Sequence, residues 1–311
     1  MHILESQQKN INDGSTEQLL PWYLNGSVAI ICAIILIAIA VLGPLMLGNI
    51  HYRTSQSAIW QNEGNDIVNL VLIAPLLLIG GALELARKKS SKYFLILTPI
   101  TLMYTGISVG VGQEWSNPAI TGNFEQYAWM FLVLVIGGLF LLIGNLSKFT
   151  AADAPEFKPR TLKAYVGFLA VFLFIFALMW MAEIMQVMST GDTTTGSYSA
   201  APTSFWMVRF LDLGISIPIG YIALMLMLSK PKKAYPVVLL FFGFFITTGT
   251  AVNAMALVEV VNNDPAIGGA NAAGLVIFPI LGILAYASLF FLLKDKFARF
   301  RNRKGNSATT N

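Results

Sequence analysis

Eight long apolar segments restrict what this chain can fold into. Each has about 20 residues, enough for a helix rising ~1.5 Å per residue to cross ~30 Å of hydrocarbon. The segments are continuously apolar and do not alternate. A backbone in lipid must also satisfy its own hydrogen bonds, so helices are favoured over strands. The predicted fold class is therefore an all-α, polytopic transmembrane helical bundle of about eight helices. The segments span residues 26–48, 66–86, 92–112, 126–146, 161–187, 205–229, 235–261 and 272–293.

The amount of charge argues against a soluble protein. Only 12% of the residues are charged and 56% are hydrophobic, whereas soluble domains carry roughly 25% charged residues. The net charge of +4 does not indicate a nucleic-acid partner, because the basic residues lie beside apolar segments. Cys32 is the single cysteine, so no internal disulfide is possible. The sequence predicts no metal site and no cofactor.

Lysine and arginine residues occupy alternate loops. The loops after the second, fourth and sixth segments, together with the C-terminal tail, hold 17 of the 20 basic residues. We call this side of the predicted bundle the basic end. The loops of the opposite end hold only Arg53. Because positive residues stay in the cytoplasm, the pattern predicts that both termini are cytoplasmic, in a prokaryotic cytoplasmic membrane.

The predicted domain organisation is simple. A polar N-terminal segment (1–25) precedes the transmembrane domain (26–293), and a basic tail (294–311) follows it. Since some 25 polar residues precede it, the first apolar segment does not resemble a cleavable signal peptide. The basic tail is expected to contact anionic lipid headgroups, at about 1 kcal/mol per well-placed charge. We find no convincing internal repeat, and a weak pairing of two four-helix halves stays open.

Ionisable residues inside apolar segments mark the candidate site, since each costs a few kcal/mol in lipid and asks for a partner. Arg209 and Asp212 are three residues apart, so they share a helix face and are predicted to pair. One interpretation is an outward-opening pocket that binds an anionic group, protons or cations. The other is an ion pair that only fixes helix packing. The candidate residues are Arg209, Asp212, Glu183, Glu259, Asp66, Asn69 and Asn253.

Two further expectations concern backbone and charge. Pro75 and Pro218 lie inside apolar segments and predict kinks. Glu84 is predicted to pair with its neighbours Arg87 or Lys88. Catalysis is not predicted, because the sequence has no HExxH, P-loop or GxSxG motif.

Several short motifs resemble an uncharacterised bacterial and archaeal family of multi-pass membrane proteins. Residues 64–70 (GNDIVNL), 74–78 (APLLL) and 85–88 (LARK) resemble its "GxDxVxLxxxxPLLL…LARRGS" opening. In the second half, 202–203 and 208–213 resemble its "PT…VxxLDLxxxLP" segment, which places Asp212 and Pro218 on that motif's aspartate and proline. The resemblance implies a multi-pass membrane fold and no activity.

Two functional hypotheses follow. The first is binding or transport of a small solute, ion or lipid through a polar pocket around Arg209, Asp212 and Glu183. The alternative is a non-transporting sensor or scaffold that binds a ligand or partner protein. The small-molecule ligand and the oligomeric state are not predicted.

Overall fold

The structure, a computed structural model, describes residues 19–156, 158–191, 198–199, 201–264 and 274–307. These residues form eight long helices and no strand, which confirms the all-α helical bundle. Seven of the helices, α1 to α7, are long and apolar enough to cross a membrane, and α8 contains a shorter apolar stretch, Phe278–Lys294. The protein is therefore an integral membrane protein. The helices are α1 (Trp22–Leu42), α2 (Gln56–Leu85), α3 (Ser91–Val111), α4 (Ala128–Leu146), α5 (Pro159–Thr190), α6 (Pro202–Ser229), α7 (Pro231–Val261) and α8 (Gly274–Ser307).

Contacts between loops show that successive helices alternate in direction. At the basic end, Lys92 at the start of α3 pairs with Asp153 after α4, with 2.7 Å between Nζ and Oδ2. At the opposite end, Arg53 before α2 pairs with Glu125 before α4 at 2.6 Å. The loops rich in lysine and arginine thus gather at one end, as their spacing along the chain predicts. Their assignment to the cytoplasm remains a prediction.

Helices α1, α2 and α8 differ most from the predicted segments. Helix α2 begins at Gln56, ten residues before the predicted start at residue 66, so much of the predicted loop before it is helical. Helix α1 ends at Leu42 instead of residue 48, because the chain turns at Gly43 and the following proline. Helix α8 continues past residue 293 to Ser307, since no proline interrupts it there. Its basic residues therefore belong to a helix. Residues 1–18 and 308–311 lie outside the described residues.

Helices α2 and α6 contain the same backbone irregularity. A five-residue π-helical turn, Asn69–Ile73 in α2 and Asp212–Ser216 in α6, interrupts each α-helix. Pro75 and Pro218 follow these turns at the same distance. A proline lacks an N–H and its ring clashes with the carbonyl four residues earlier, so a wider turn at this point relieves the clash. The kinks predicted at both prolines take this form.

The two irregularities reveal a repeat in the chain. The two π-helical turns begin 143 residues apart, at Asn69 and Asp212, and the prolines have the same separation. The Thr-Gly pairs 105–106 in α3 and 248–249 in α7 are also 143 residues apart. Local sequence identity is low, so the repeat becomes visible only when the backbone shows which residues correspond.

Helix neighbours repeat as well. In the first half α1 contacts α2 and α4, and α3 contacts α4. In the second half α5 contacts α6, α7 contacts α8, and a Tyr165–Ser288 hydrogen bond joins α5 to α8. Between the halves, α2 packs on α7 and α3 packs on α6. The two four-helix halves are thus arranged alike, which resolves the pairing that the sequence left open.

Close helix packing depends on small residues. Cys32 of α1 is fully buried against Gly137 of α4, where an added Cβ would lie 2.1 Å from the Cys32 sulfur. Gly64 of α2 brings the two halves together, because an added Cβ would lie 2.4 Å from the backbone nitrogen of Met255 in α7. A side chain at either glycine would push these helices apart.

A buried polar cluster closes the basic end. The Lys148 Nζ donates to Glu84 at 2.5 Å, and the Ser91 hydroxyl donates to the other carboxylate oxygen at 2.5 Å. The predicted pairing of Glu84 with Arg87 or Lys88 is therefore wrong. Arg87 has a positive φ of 54° and its guanidinium lies over the Trp22 ring instead. Burial lowers the pKa of Lys148, and Glu84 partly opposes this shift.

Candidate functional site

A cavity of about 370 Å³ lies between the two halves of the bundle. It extends from loop residues Thr54 and Gln113 at the opposite end to Thr101 and Phe244, deeper among the helices. Below it, towards the basic end, a cluster of buried apolar side chains from α3 and α5 to α8 fills the space, including Leu97, Leu239 and Tyr235. The cavity is therefore closed on the basic side.

One wall of the cavity is polar. Short hydroxyl and amide side chains from the start of α2, from α3 and from α7 face it. Such groups donate and accept hydrogen bonds without adding charge. The sequence did not indicate most of these residues, because serine and threonine are common in membrane helices and do not by themselves mark a site. The wall consists of Ser55, Ser57, Gln61, Asn62, Asn65, Thr101, Thr105, Ser108 and Thr248.

Another part of the lining is aromatic and contains Arg209. The Arg209 guanidinium lies 3.7 Å from the ring centre of Phe205 and 4.5 Å from that of Trp180. Arginine stacks well on aromatic faces, so the two rings hold the side chain in place. The sequence contained a signal for Trp180, which precedes Glu183 by three residues on α5 and so shares its face. The remaining aromatic lining is Tyr104, Phe176, Phe244, Phe245 and Phe278.

Arg209 forms its ion pair with Glu183, which joins α6 to α5. Its Nη1 also donates to the Phe205 carbonyl at 3.2 Å. The predicted pair with Asp212 is wrong among the described residues, since Asp212 is not within ion-pair distance of Arg209. The Arg209 guanidinium instead reaches across to α5, where it meets Glu183 and the Trp180 ring.

Asp212 lines the cavity from the first position of the π-helical turn in α6. It is only 7% exposed, and the Ser216 hydroxyl donates to its Oδ1 at 3.3 Å. Tyr104 and Trp180 lie close to its carboxylate, although the Trp180 Nε1 has no hydrogen-bond partner. Asp212 is thus a largely buried carboxylate at the cavity surface.

Two acids bind neighbouring elements at the open end of the cavity. Glu259 of α7 accepts hydrogen bonds from Gln61 at 2.7 Å and from Ser57 at 3.4 Å, and it lines the cavity. Glu114, which sequence analysis did not select, accepts from the backbone N–H of Thr203 at 2.9 Å. Because Thr203 lies in the first turn of α6, this contact caps the helix and fixes its position.

The structure separates three predicted residues from this cavity. Asp66 and Asn69 do not line it, and lie instead on a buried face of α2. Asn253 donates to the carbonyl of Gly249 at 2.7 Å and to that of Phe278 at 3.2 Å, so it links α7 to α8. Sequence analysis treated all seven candidates as one pocket, but only Arg209, Asp212, Glu183 and Glu259 meet there.

In the part of the chain that the structure describes, no three His, Cys, Asp or Glu side chains lie together in an arrangement that could hold a metal ion. Comparisons with protein-family models, with curated proteins and with solved structures find no match. Function must therefore be argued from the geometry of the cavity.

Proposed function

We propose that the protein binds a small organic cation in the cavity between its two halves and carries it across the membrane. The observation that supports this most is the charge of the lining. Among the described residues that line it, Glu183, Asp212 and Glu259 provide three acids and Arg209 provides the one basic side chain. Arg209 is already paired with Glu183, so a bound cation would meet the remaining carboxylates.

The aromatic wall favours the same class of solute. Cations are attracted to the faces of aromatic rings, by about 0.5–2 kcal/mol per contact. A volume of about 370 Å³ lies in the range of small-molecule sites, roughly 300–1,000 Å³. An ammonium group with an apolar substituent could place its charge at Asp212 and its apolar part against the rings.

Transport is supported by the position of the cavity at the interface between similar halves. Transporters built from repeats place their sites at such an interface and open alternately to either side. On its basic side, the cavity is closed by the buried apolar cluster around Tyr235 and Leu239. With the basic end in the cytoplasm, as the positive-inside rule favours, this arrangement corresponds to an outward-facing state.

A binding experiment tests the ligand class. Purified protein is titrated with benzylammonium, and with benzyl alcohol and benzoate as neutral and anionic analogues of similar shape. We expect saturable stabilisation by benzylammonium alone, and an affinity about tenfold lower in Asp212→Asn, since a hydrogen bond to a charged group is worth about 1.5–3 kcal/mol. Glu125→Gln is the matched control, because Glu125 is an exposed acid at the same end outside the cavity.

Either of two results contradicts the proposed ligand: benzoate binding more tightly than the amine, or equal amine affinity in wild type and Asp212→Asn. Uptake of radiolabelled amine into proteoliposomes then separates transport from sensing. Binding without uptake supports the alternative of a non-transporting sensor.

A further inference from the structure

A second polar site lies on α2, apart from the cavity. Asp66 is 2% exposed and Asn69 is 1% exposed. The Asn69 amide donates to Asp66 Oδ1 at 3.3 Å, but Asp66 Oδ2 and Asn69 Oδ1 are buried without a hydrogen-bond partner. Buried acceptors left without donors cost about 1–3 kcal/mol each, and more when charged. Two such acceptors, on side chains that are in contact with each other, indicate that a positively charged group belongs at this place.

The C-terminal end of α1 adds further negative potential at this place. Helix α1 ends at Leu42 with no basic residue in its last turn. The last carbonyls of a helix carry partial negative charge, equivalent to about half an electron, which favours a nearby cation. Here the nearby side chain is the Asp66 carboxylate, whose negative charge is repelled by the partial negative charge of the helix end.

Gly43 brings the end of α1 close to the Asp66 carboxylate. A Cβ added to Gly43 would lie 2.7 Å from the carbonyl oxygen of Ile39 and 3.0 Å from Asp66 Oδ2. The glycine thus allows a backbone carbonyl of the last turn of α1 and the Asp66 carboxylate to approach the same place.

Within the described ranges of the chain, no basic side chain forms an ion pair with Asp66. The charged group that acts on it is Glu63, another acid, one turn earlier on α2. Tyr52, buried at 4% exposure in the preceding loop, is the other titratable group beside it. A buried carboxylate in such surroundings requires a bound cation or a proton.

We propose that Asp66, Asn69 and the C-terminal end of α1 bind a monovalent alkali cation. The ligands are one carboxylate, one amide oxygen and a backbone carbonyl, which are the oxygen types that hard cations prefer. A single carboxylate matches a single positive charge. The site lies outside the cavity, but it adjoins it along α2, because Asn65 lines the cavity next to Asp66.

Thermal unfolding in different salts tests this site. Wild-type protein is heated in NaCl, KCl or MgCl₂ at constant ionic strength and pH, since Mg²⁺ gives up its water reluctantly and does not suit a site with one carboxylate. We expect Na⁺ or K⁺ to raise Tm saturably, by about 4 °C or more relative to Mg²⁺, and Asp66→Asn to lose this response. Asp212→Asn is the matched control, at the position in α6 that corresponds to Asn69, and should keep it.

Asn69→Asp supplies a second measurement in case Asp66→Asn does not fold. Two adjacent carboxylates suit Ca²⁺ better than one, so this variant should gain stabilisation by micromolar to millimolar Ca²⁺ that the wild type lacks. Equal Tm values of the wild type in all three salts would overturn the proposal, as would a Tm that responds to pH alone, since that result identifies a protonated Asp66.

The two proposals fail separately. If the wild type shows no alkali-cation response but binds benzylammonium, only the α2 site is rejected. The converse result rejects only the cavity ligand.

Discussion

The two π-helical turns of the molecule use the same backbone for different polar chemistry. In α6 the turn begins at Asp212, which faces the cavity near a paired, ring-stacked Arg209. In α2 the turn begins at Asn69, which faces away from the cavity beside Asp66. The position of Arg209 in α6 corresponds to that of Asp66 in α2, since both precede the turn by three residues.

This difference separates what the proline determines from what the side chains determine. The proline imposes a wide turn and so redirects the residues before it. Whether these residues form a cavity wall or a closed site depends on their charge and neighbours. Helix α6 carries its own cation in Arg209, whereas α2 presents only acceptors at the corresponding place.

The largest expected effect on stability comes from replacing Arg209 in α6. Arg209→Met removes the partner of Glu183 while keeping much of the apolar volume. Removing one partner of a buried ion pair leaves the other charge uncompensated, and we expect the free energy of unfolding to fall by about 3 kcal/mol. Arg209→Lys keeps the charge but not the stacking on Phe205 and Trp180, so its loss should be smaller. Unfolding in denaturant measures both, and unchanged stability of Arg209→Met would mean that the pair is dispensable.

A pair of alanine substitutions compares the last residues of the two turns. Ile73 ends the turn in α2 and is buried in the apolar core, whereas Ser216 ends the turn in α6 and donates to Asp212. We expect Ile73→Ala to lower the free energy of unfolding by about 3 kcal/mol through a cavity, and Ser216→Ala by about 1 kcal/mol through a lost hydrogen bond. The reverse order in denaturant unfolding would contradict this division of roles. Only Ser216→Ala should also weaken benzylammonium binding.

The smallest expected effect is a loss of stability at low pH. It arises from Asp153, at the basic end and away from both turns. Burial alone would raise the pKa of Asp153, but hydrogen bonds from the Lys92 ammonium, the Thr150 backbone and Tyr93 lower it overall. A lowered folded pKa stabilises the fold above the unfolded value of about 3.9, and this contribution is lost as pH falls through the folded pKa.

We therefore expect wild type to lose about 1 kcal/mol of stability from this group below about pH 4. Asp153→Asn should lack that component. Unfolding curves at pH 7, 5 and 3 measure it. The same acid-dependent loss in both proteins would place its origin elsewhere.

Most of the fold could be predicted because the bilayer imposes it. Segments of bilayer length and the alternation of basic loops follow from transfer energies that each residue contributes independently. The ends of α1 and α8 could not, since Gly43 turns the chain early and the basic residues of α8 remain helical. The repeat was hidden because lipid-facing positions tolerate many apolar residues, so few identities mark it.

The candidate site was predicted only in part. Charge in an apolar segment selected Arg209, Asp212, Glu183 and Glu259, and all four line the cavity. The partner of Arg209 could not be predicted, because a sequence does not show which side chain of a neighbouring helix lies within reach, and here it is Glu183 of α5. Asp66 and Asn69 were grouped with the other candidates because sequence position gives depth along a helix more reliably than direction around it.

The packing of Cys32 against Gly137 has a practical consequence for labelling studies. This thiol is the single cysteine of the chain, and it is fully buried between α1 and α4. Water-soluble maleimides should therefore leave the wild-type protein unmodified, so that cysteines can be introduced without first replacing Cys32. A cysteine introduced at exposed Lys89 or Asn117 would then report from which face of the membrane each end of the bundle is reached.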